Sequence, residues 1–253
     1  MPNPRNATSF RGERTYTRGD EKVPSVTTIL SAYPKPWLGG WAAKMVAELV
    51  IYGDQGWRDL PADEALRHLK GSPWRKRDVA ADFGTAVHAA LEQLVAEQPV
   101  ATPAGAERHV AALVAWWDAY RPRVTDSEIQ LWGDGYAGSC DLIADVYGRR
   151  LLIDLKTSGQ LDAAMRLQLA AYRYADEIFH DDKRVAGMPI VDGCAVLWIP
   201  RDHPDDWQFV EMPAGATEYA LFRSVLAVWQ YHKAHDKDAG GTLILPQAPE
   251  EAA

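Results

Sequence analysis

The sequence predicts an α/β protein. It has a central mixed sheet containing an antiparallel meander, flanked by helices and preceded by a helix-rich N-terminal half. Three observations predict this. Residues 128–159, EIQLWGDGYAGSCDLIADVYGRRLLIDLKTSG, hold three short strand-like runs separated by glycine-containing turns. Segments on both sides carry apolar residues at helical spacing. GCAVLWIP (193–200) is apolar on consecutive positions, as a strand buried on both faces is.

Taken in order, residues 1–22 read as a flexible basic arm, with Arg5, Arg11, Arg14, Arg18 and Lys22 against Glu13, Asp20 and Glu21. In VPSVTTIL (23–30), Ser25 or Thr27 is placed to cap a helix. From Trp37 to about Tyr52, Trp41, Met45 and Leu49 recur four residues apart, a helical stripe. A break at 53–61 precedes a short helix at 62–71, ended by Gly71-Ser72-Pro73. A long helix near 75–97 presents Val87, Leu91, Leu94 and Val95. Another, at 105–120, presents Val110, Leu113, Trp116, Trp117 and Tyr120, and Pro122 stops it. After the meander, 161–179 returns to helix, 206–212 reads as a strand and 215–235 as a last amphipathic helix. The expected division is therefore an arm at 1–22, one domain at 23–240 and a disordered tail at 241–253.

Composition bounds the function. Of 253 residues, 47% are hydrophobic and 25% charged, which excludes wholesale disorder. No run of about 18 apolar residues suggests a membrane span, and the polar N-terminus lacks a signal-peptide core. A cytoplasmic protein with no membrane partner is expected. Cys140 and Cys194 are the only cysteines, too few for a four-cysteine zinc or iron–sulfur site. The net charge of −8 argues, on its face, against a nucleic-acid partner.

The chemistry concentrates where the meander ends, in LLIDLKT (151–157). Strand side chains alternate, so Asp154 and Lys156 share one face while Ile153 and Leu155 face the core. A surface salt bridge at a strand end is one account of that pair. The preceding strand adds a second acid. In a hairpin turning near Gly148, residues whose numbers sum to 295 or 296 oppose each other, which sets Asp141 beside Asp154. Two facing carboxylates are stable when a cation lies between them or one is protonated. Hard oxygen ligands favour Mg²⁺ or Mn²⁺. On the long helix, His88 has Glu92 one turn later. Beyond the strand, Gln168 and Tyr172 are also one turn apart. Each of these is also compatible with an ordinary half-buried helix surface.

Four motifs, GTAVH (84–88), GSCD (138–141), DLK (154–156) and QLAAY (168–172), resemble in order and spacing the RecB-type branch of the PD-(D/E)xK nuclease superfamily. VPSVTTIL resembles the start of stand-alone phage members. The match is strongest over 84–175. The resemblance implies a restriction-endonuclease-like fold and a divalent-metal-dependent DNA exonuclease of DNA recombination or processing. It implies metal ligation by Asp141, Asp154, the Leu155 carbonyl and His88. Lys156 would orient or activate the attacking water and stabilise the charged transition state. Gln168 and Tyr172 would brace the site and touch the DNA backbone. Glu128 falls on a position that is often acidic, and Glu92 would support the ligands. Cys140 stands before Asp141 where the superfamily motif has proline, a departure common in this branch and harmless to the chemistry. With two cysteines the chain should lack the iron–sulfur cluster of several relatives, and it has neither helicase motif nor Gly-rich phosphate loop. DNA is the expected partner, along with a single-strand annealing or recombination protein.

The segment RHLKGSPWRKR (67–77) holds five cations and no acid. Arg75, Lys76 and Arg77, with Trp74 for base stacking, read as a phosphate track; a solvated helix start is the plainer account. Trp116, Trp117, Trp198 and Trp229 read as core. Three other functions compete with the exonuclease: a catalytically silent DNA-binding subunit, a structure-specific endonuclease of the same fold, and a metal hydrolase of a small phosphorylated molecule.

Overall fold

The computed structural model describes residues 7–10, 13–179, 185–236 and 240. The chain begins with three strands, β1 (Ala7–Phe10), β2 (Glu13–Arg18) and β3 (Glu21–Pro24), in an antiparallel sheet. Five helices follow: α1 (Val26–Ile29), α2 (Trp37–Tyr52), α3 (Ala62–Lys70), α4 (Ser72–Val95) and α5 (Glu107–Tyr120). The meander is β4 (Arg123–Gly133), β5 (Tyr136–Val146) and β6 (Arg149–Lys156). Then come α6 (Ala163–Arg173), β7 (Glu177–Phe179), β8 (Val185–Gly187), β9 (Gly193–Trp198), β10 (Gln208–Met212) and α7 (Ala216–His235).

The main sheet has seven strands in the order β10-β9-β6-β5-β4-β7-β8. It is mixed: β6 and β9 run parallel and every other pair is antiparallel. Helices cover both faces. On one face Val26 and Ile29 of α1, much of α6, and Phe222 and Leu226 of α7 pack against Cys140, Ile143, Leu152 and Val196. On the other, Val87 and Leu91 of α4 and Val110, Leu113 and Trp116 of α5 pack against Leu142, Ile153, Leu155 and Leu197. β5 and β6 are thus buried on both sides, which is why their sequences are apolar almost throughout. Trp117, Trp198 and Trp229 also pack against these cores. No helix among the described residues is long and apolar enough to cross a membrane.

Three expectations need correction. Residues 7–10 and 13–24 form strands in place of the flexible arm. Glu13–Arg18 alternates β-favouring Thr15, Tyr16 and Thr17, and Gly19 takes φ +57 in the turn to β3. The sheet is anchored by Tyr16 and Val23, buried against Trp132 and Ala137. Helix α6 stops at Arg173, and Glu177–Phe179 pairs with β4 instead of extending it. The meander begins at Arg123, five residues before the expected point. The tail expected at 241–253 and the Arg5 and Arg11 of the arm lie outside the described residues.

Candidate metal centre

The β5–β6 hairpin holds the register expected from a turn at Gly148, with Leu142 opposite Ile153. The paired ladder ends there, and Asp141 and Asp154 are the next residues on their strands. Both are buried, at 7% and 3% exposure. A buried carboxylate costs several kcal/mol unless its oxygens are satisfied. Asp141 Oδ2 accepts a hydrogen bond from the Leu155 N–H at 2.7 Å, and its Oδ1 lies 3.2 Å from His88 Nδ1. Asp154 Oδ2 lies 2.5 Å from Lys156 Nζ. Its Oδ1 accepts from Gln168 Nε2 at 3.3 Å, and the same amide donates to Tyr172 Oη at 3.0 Å. The Asp154–Lys156 pair is therefore no surface salt bridge. It closes an internal network running from α6 through β6 to α4.

Glu128 joins from β4. Its neighbours Ser127 and Ile129 pair with Leu142 and Cys140, so Glu128 stands across from Asp141. Its φ is +47, and among the described residues it is the only non-glycine inside a strand with positive φ. Such a backbone costs about 1–2 kcal/mol and signals a position held by its surroundings. Ligand atoms of His88, Glu128 and Asp141 all lie within 4.8 Å of one another. Two ligands at about 2.0–2.1 Å from one Mg²⁺ span at most about 4.2 Å, so small side-chain shifts would bring all three onto one ion.

The charges agree. Burial, and then the negative charge of Asp141 and Glu92, push the Glu128 carboxyl up to about 7. Burial works against the charged form of His88, but the Asp141 carboxylate outweighs it and raises the imidazole above its usual range. Burial also pushes the Asp154 carboxyl up, helped by the charge of Asp141 and opposed by Lys156. For Asp141 the burial cost is outweighed by His88 and Lys156, and its carboxyl is held below the usual range. Lys156 is likewise desolvated, yet Asp154 and Asp141 hold its ammonium above its ordinary value. The shifts of His88 and Glu128 both favour the protonated form, the direction in which a proton takes up part of the positive charge a divalent cation would supply. His88 Nδ1 is buried and its one near partner is Asp141 Oδ1, so an ion held by Asp141 would lie within its reach. Two carboxylates and one imidazole suit Mg²⁺ or, better, Mn²⁺.

Two motif glycines fit the helices to this centre. A Cβ on Gly138 would stand under 3.0 Å from Tyr172, so the glycine makes room for the ring over β5. A Cβ on Gly84 would come within 3.2 Å of Thr157 Oγ1, so α4 approaches the end of β6 closely at that turn.

The structure therefore brings together His88, Glu128, Asp141, Asp154, Lys156, Gln168 and Tyr172. Leu155 lies between the two acids with its side chain in the core and its N–H on Asp141. Three placements differ from expectation. The close triad contains Glu128 in place of Asp154, whose Oδ2 is taken by Lys156. Tyr172 is 3% exposed and packs in the core, where its hydroxyl accepts from Gln168. Arg75, Lys76 and Arg77 start α4, and Arg77 is eleven residues before His88, about 16 Å along the helix. All three have internal contacts: Arg75 with the His68 carbonyl, Lys76 with Glu48, and Arg77 with Asp78 and the Trp74 ring. Cys140 is buried, and burial pushes its thiol well up, leaving it inert.

The reading from sequence missed the N-terminal sheet as a wall of the site. Tyr16 is raised first by burial and, more weakly, by the charge of Glu128, while Arg14 lowers it. Strand β2 therefore stands beside the triad, and the Thr-Tyr-Thr alternation was the available signal. Comparison with protein-family models and with curated proteins finds no match to this chain.

Proposed function

We propose that this chain is a divalent-metal-dependent deoxyribonuclease with a restriction-endonuclease-like fold of the RecB type, acting as an exonuclease. The observation that carries the proposal is the convergence of His88, Glu128 and Asp141 from three elements, next to a buried Asp154–Lys156 pair. The donor set fits Mg²⁺ or Mn²⁺. Bound there, the cation supplies Lewis acidity at a phosphate oxygen and lowers the pKa of water.

The chain's own groups do the rest. Lys156, held protonated, is an electrostatic donor and not a base; it faces the charge that develops on the phosphoryl oxygens. Asp154 fixes the ammonium, and Gln168, braced by Tyr172, fixes Asp154. Water attacks phosphorus, the bond to the 3′ oxygen breaks, and a 5′-phosphate and a 3′-hydroxyl result. The network pre-orients these donors, so little reorganisation is needed at the transition state.

The test is degradation of labelled DNA with Mg²⁺ or Mn²⁺ by the wild type, Asp154→Ala and Lys156→Ala. Each substitution is expected to lower the rate by about 10²–10³-fold, because Lys156→Ala removes the electrostatic donor and Asp154→Ala releases it from its position. Full activity in either variant removes the site. Wild-type DNA binding without cleavage under both metals assigns the fold to a binding subunit instead.

A further inference from the structure

We infer that Arg201 is a substrate-positioning residue that takes a backbone phosphate of the bound strand beside the metal centre. The inference rests on the nuclease reading and adds to it a residue outside the four motifs.

Strand β9 runs parallel to β6, with Trp198 level with Lys156. The Ile199 N–H then donates to the Lys156 carbonyl at 2.8 Å. The chain leaves the sheet through Pro200, so Arg201 emerges at the same sheet end as Lys156. Its guanidinium carbon lies 5.5 Å from the centroid of the Phe83 ring. Phe83 immediately precedes Gly84, the residue that lets α4 approach Thr157. It is five residues before His88, about 7–8 Å along the helix axis. Arg201 thus stands over the turn of α4 that leads into the metal ligand.

The loop is held in place. His109 of α5 is 4% exposed and packs edge-on to Phe83 at 4.6 Å between centroids. Its ring faces the backbone of Pro200 and Arg201, contacts that act to raise its pKa, though burial outweighs them and lowers it. Pro204 is buried, and Arg108 pairs with Asp205. Other cations in this neighbourhood have acid partners: Arg108 has Asp205 and Lys156 has Asp154. Arg201 is half-buried and forms no ion pair with a described residue, in a chain whose net charge is −8. Acids are plentiful here, so a fixed guanidinium without one is set aside for an anion from outside. Its planar fork suits a phosphate better than a lysine ammonium does.

The experiment is equilibrium binding of a labelled DNA duplex in Ca²⁺ across a range of KCl concentrations, with wild type, Arg201→Gln and Arg201→Lys. Arg201→Gln is expected to bind about tenfold more weakly and to lower the slope of log K against log salt by about 0.9, one phosphate contact. Arg201→Lys keeps the wild-type slope, because the point charge remains. Mn²⁺ binding to the DNA-free Arg201→Gln protein stays at the wild-type value, which establishes that the metal centre is intact. An unchanged slope in Arg201→Gln overturns the assignment, even if affinity falls, because it leaves Arg201 only a packing role on Phe83. A wild type that binds no DNA overturns the nuclease reading itself, a result distinct from the first.

Discussion

Replacing Gly138 with alanine puts a methyl group where the Tyr172 ring already stands. The new Cβ would fall under 3.0 Å from Cε1, and 3.2 and 3.3 Å from Cδ1 and Cζ. Carbon pairs prefer about 3.5–4.0 Å, so the ring has to retreat. It has little room, because Tyr172 is 3% exposed and flanked in α6 by buried Leu169, Ala170 and Ala171. Overpacking of this kind costs about 1–3 kcal/mol. For a chain of this size 1 kcal/mol moves Tm by about 2–4 °C, so the predicted fall is about 2–12 °C. The displacement also passes to Asp154, because Tyr172 Oη holds Gln168 and Gln168 holds the carboxylate. Denaturant melts of Gly138→Ala, Tyr172→Leu and the double variant isolate the clash. With the ring gone, the added methyl should cost less than about 0.5 kcal/mol, giving a coupling energy near the full overpacking penalty. A neutral Gly138→Ala, or an equal cost in both backgrounds, refutes the packing argument.

Glu128→Gly should raise Tm by up to about 6 °C, because relief of a left-handed backbone worth about 1–2 kcal/mol outweighs the about 0.5–1 kcal/mol of chain entropy that a glycine loses on folding. The same variant should bind Mn²⁺ at least about tenfold more weakly through loss of a carboxylate; a destabilised variant contradicts the strain. Glu128 sits at about 7 when folded against an ordinary 4.5, so the unfolded chain releases its proton first. Its contribution to metal-free stability therefore falls as pH rises through that window. Mn²⁺ must displace this proton, so apparent affinity should fall below about pH 7 with a slope approaching about tenfold per pH unit, and a flat profile in Mn²⁺ titrations refutes it. Changing Arg75, Lys76 and Arg77 together to Ala should lower the salt slope of DNA binding by about 2.7, at about 0.9 for each phosphate contact. An unchanged slope would show that their internal partners fully occupy them.

The parts of the site that lie on regular elements were legible before any coordinates. The apolar alternation of 136–156 defines two buried strands, and a turn at Gly148 sets their register, so the adjacency of Asp141 and Asp154 follows from counting. His88 follows from its place on a helix whose stripe, Val87 and Leu91, packs on those strands. What resisted reading depends on tertiary pairing. Glu177–Phe179 is too short to carry its own pattern, and only the edge of β4 makes it a strand. The sheet at 7–24 has many charges, and a charge count hid the alternation around Tyr16. Tyr172 looked like a surface residue because α6 carries polar side chains, but the helix is wedged between the sheet and α7 and buries most of its circumference. The contorted backbone of Glu128 has no sequence signature, since glutamate ordinarily avoids positive φ. That residue joins His88 and Asp141 in the close triad.

The most direct test of the metal centre is stoichiometric Mn²⁺ binding at pH 7.5, a pH at which Glu128, with its pKa at about 7, is mostly ionised. Wild type, Asp141→Asn, His88→Gln and Lys156→Gln are compared by calorimetry, with DNA cleavage followed in the same preparations. The account predicts one Mn²⁺ site in the wild type. Binding should be at least about tenfold weaker in Asp141→Asn and His88→Gln. Lys156→Gln should retain binding and lose cleavage. Wild-type Mn²⁺ affinity in both Asp141→Asn and His88→Gln would contradict it.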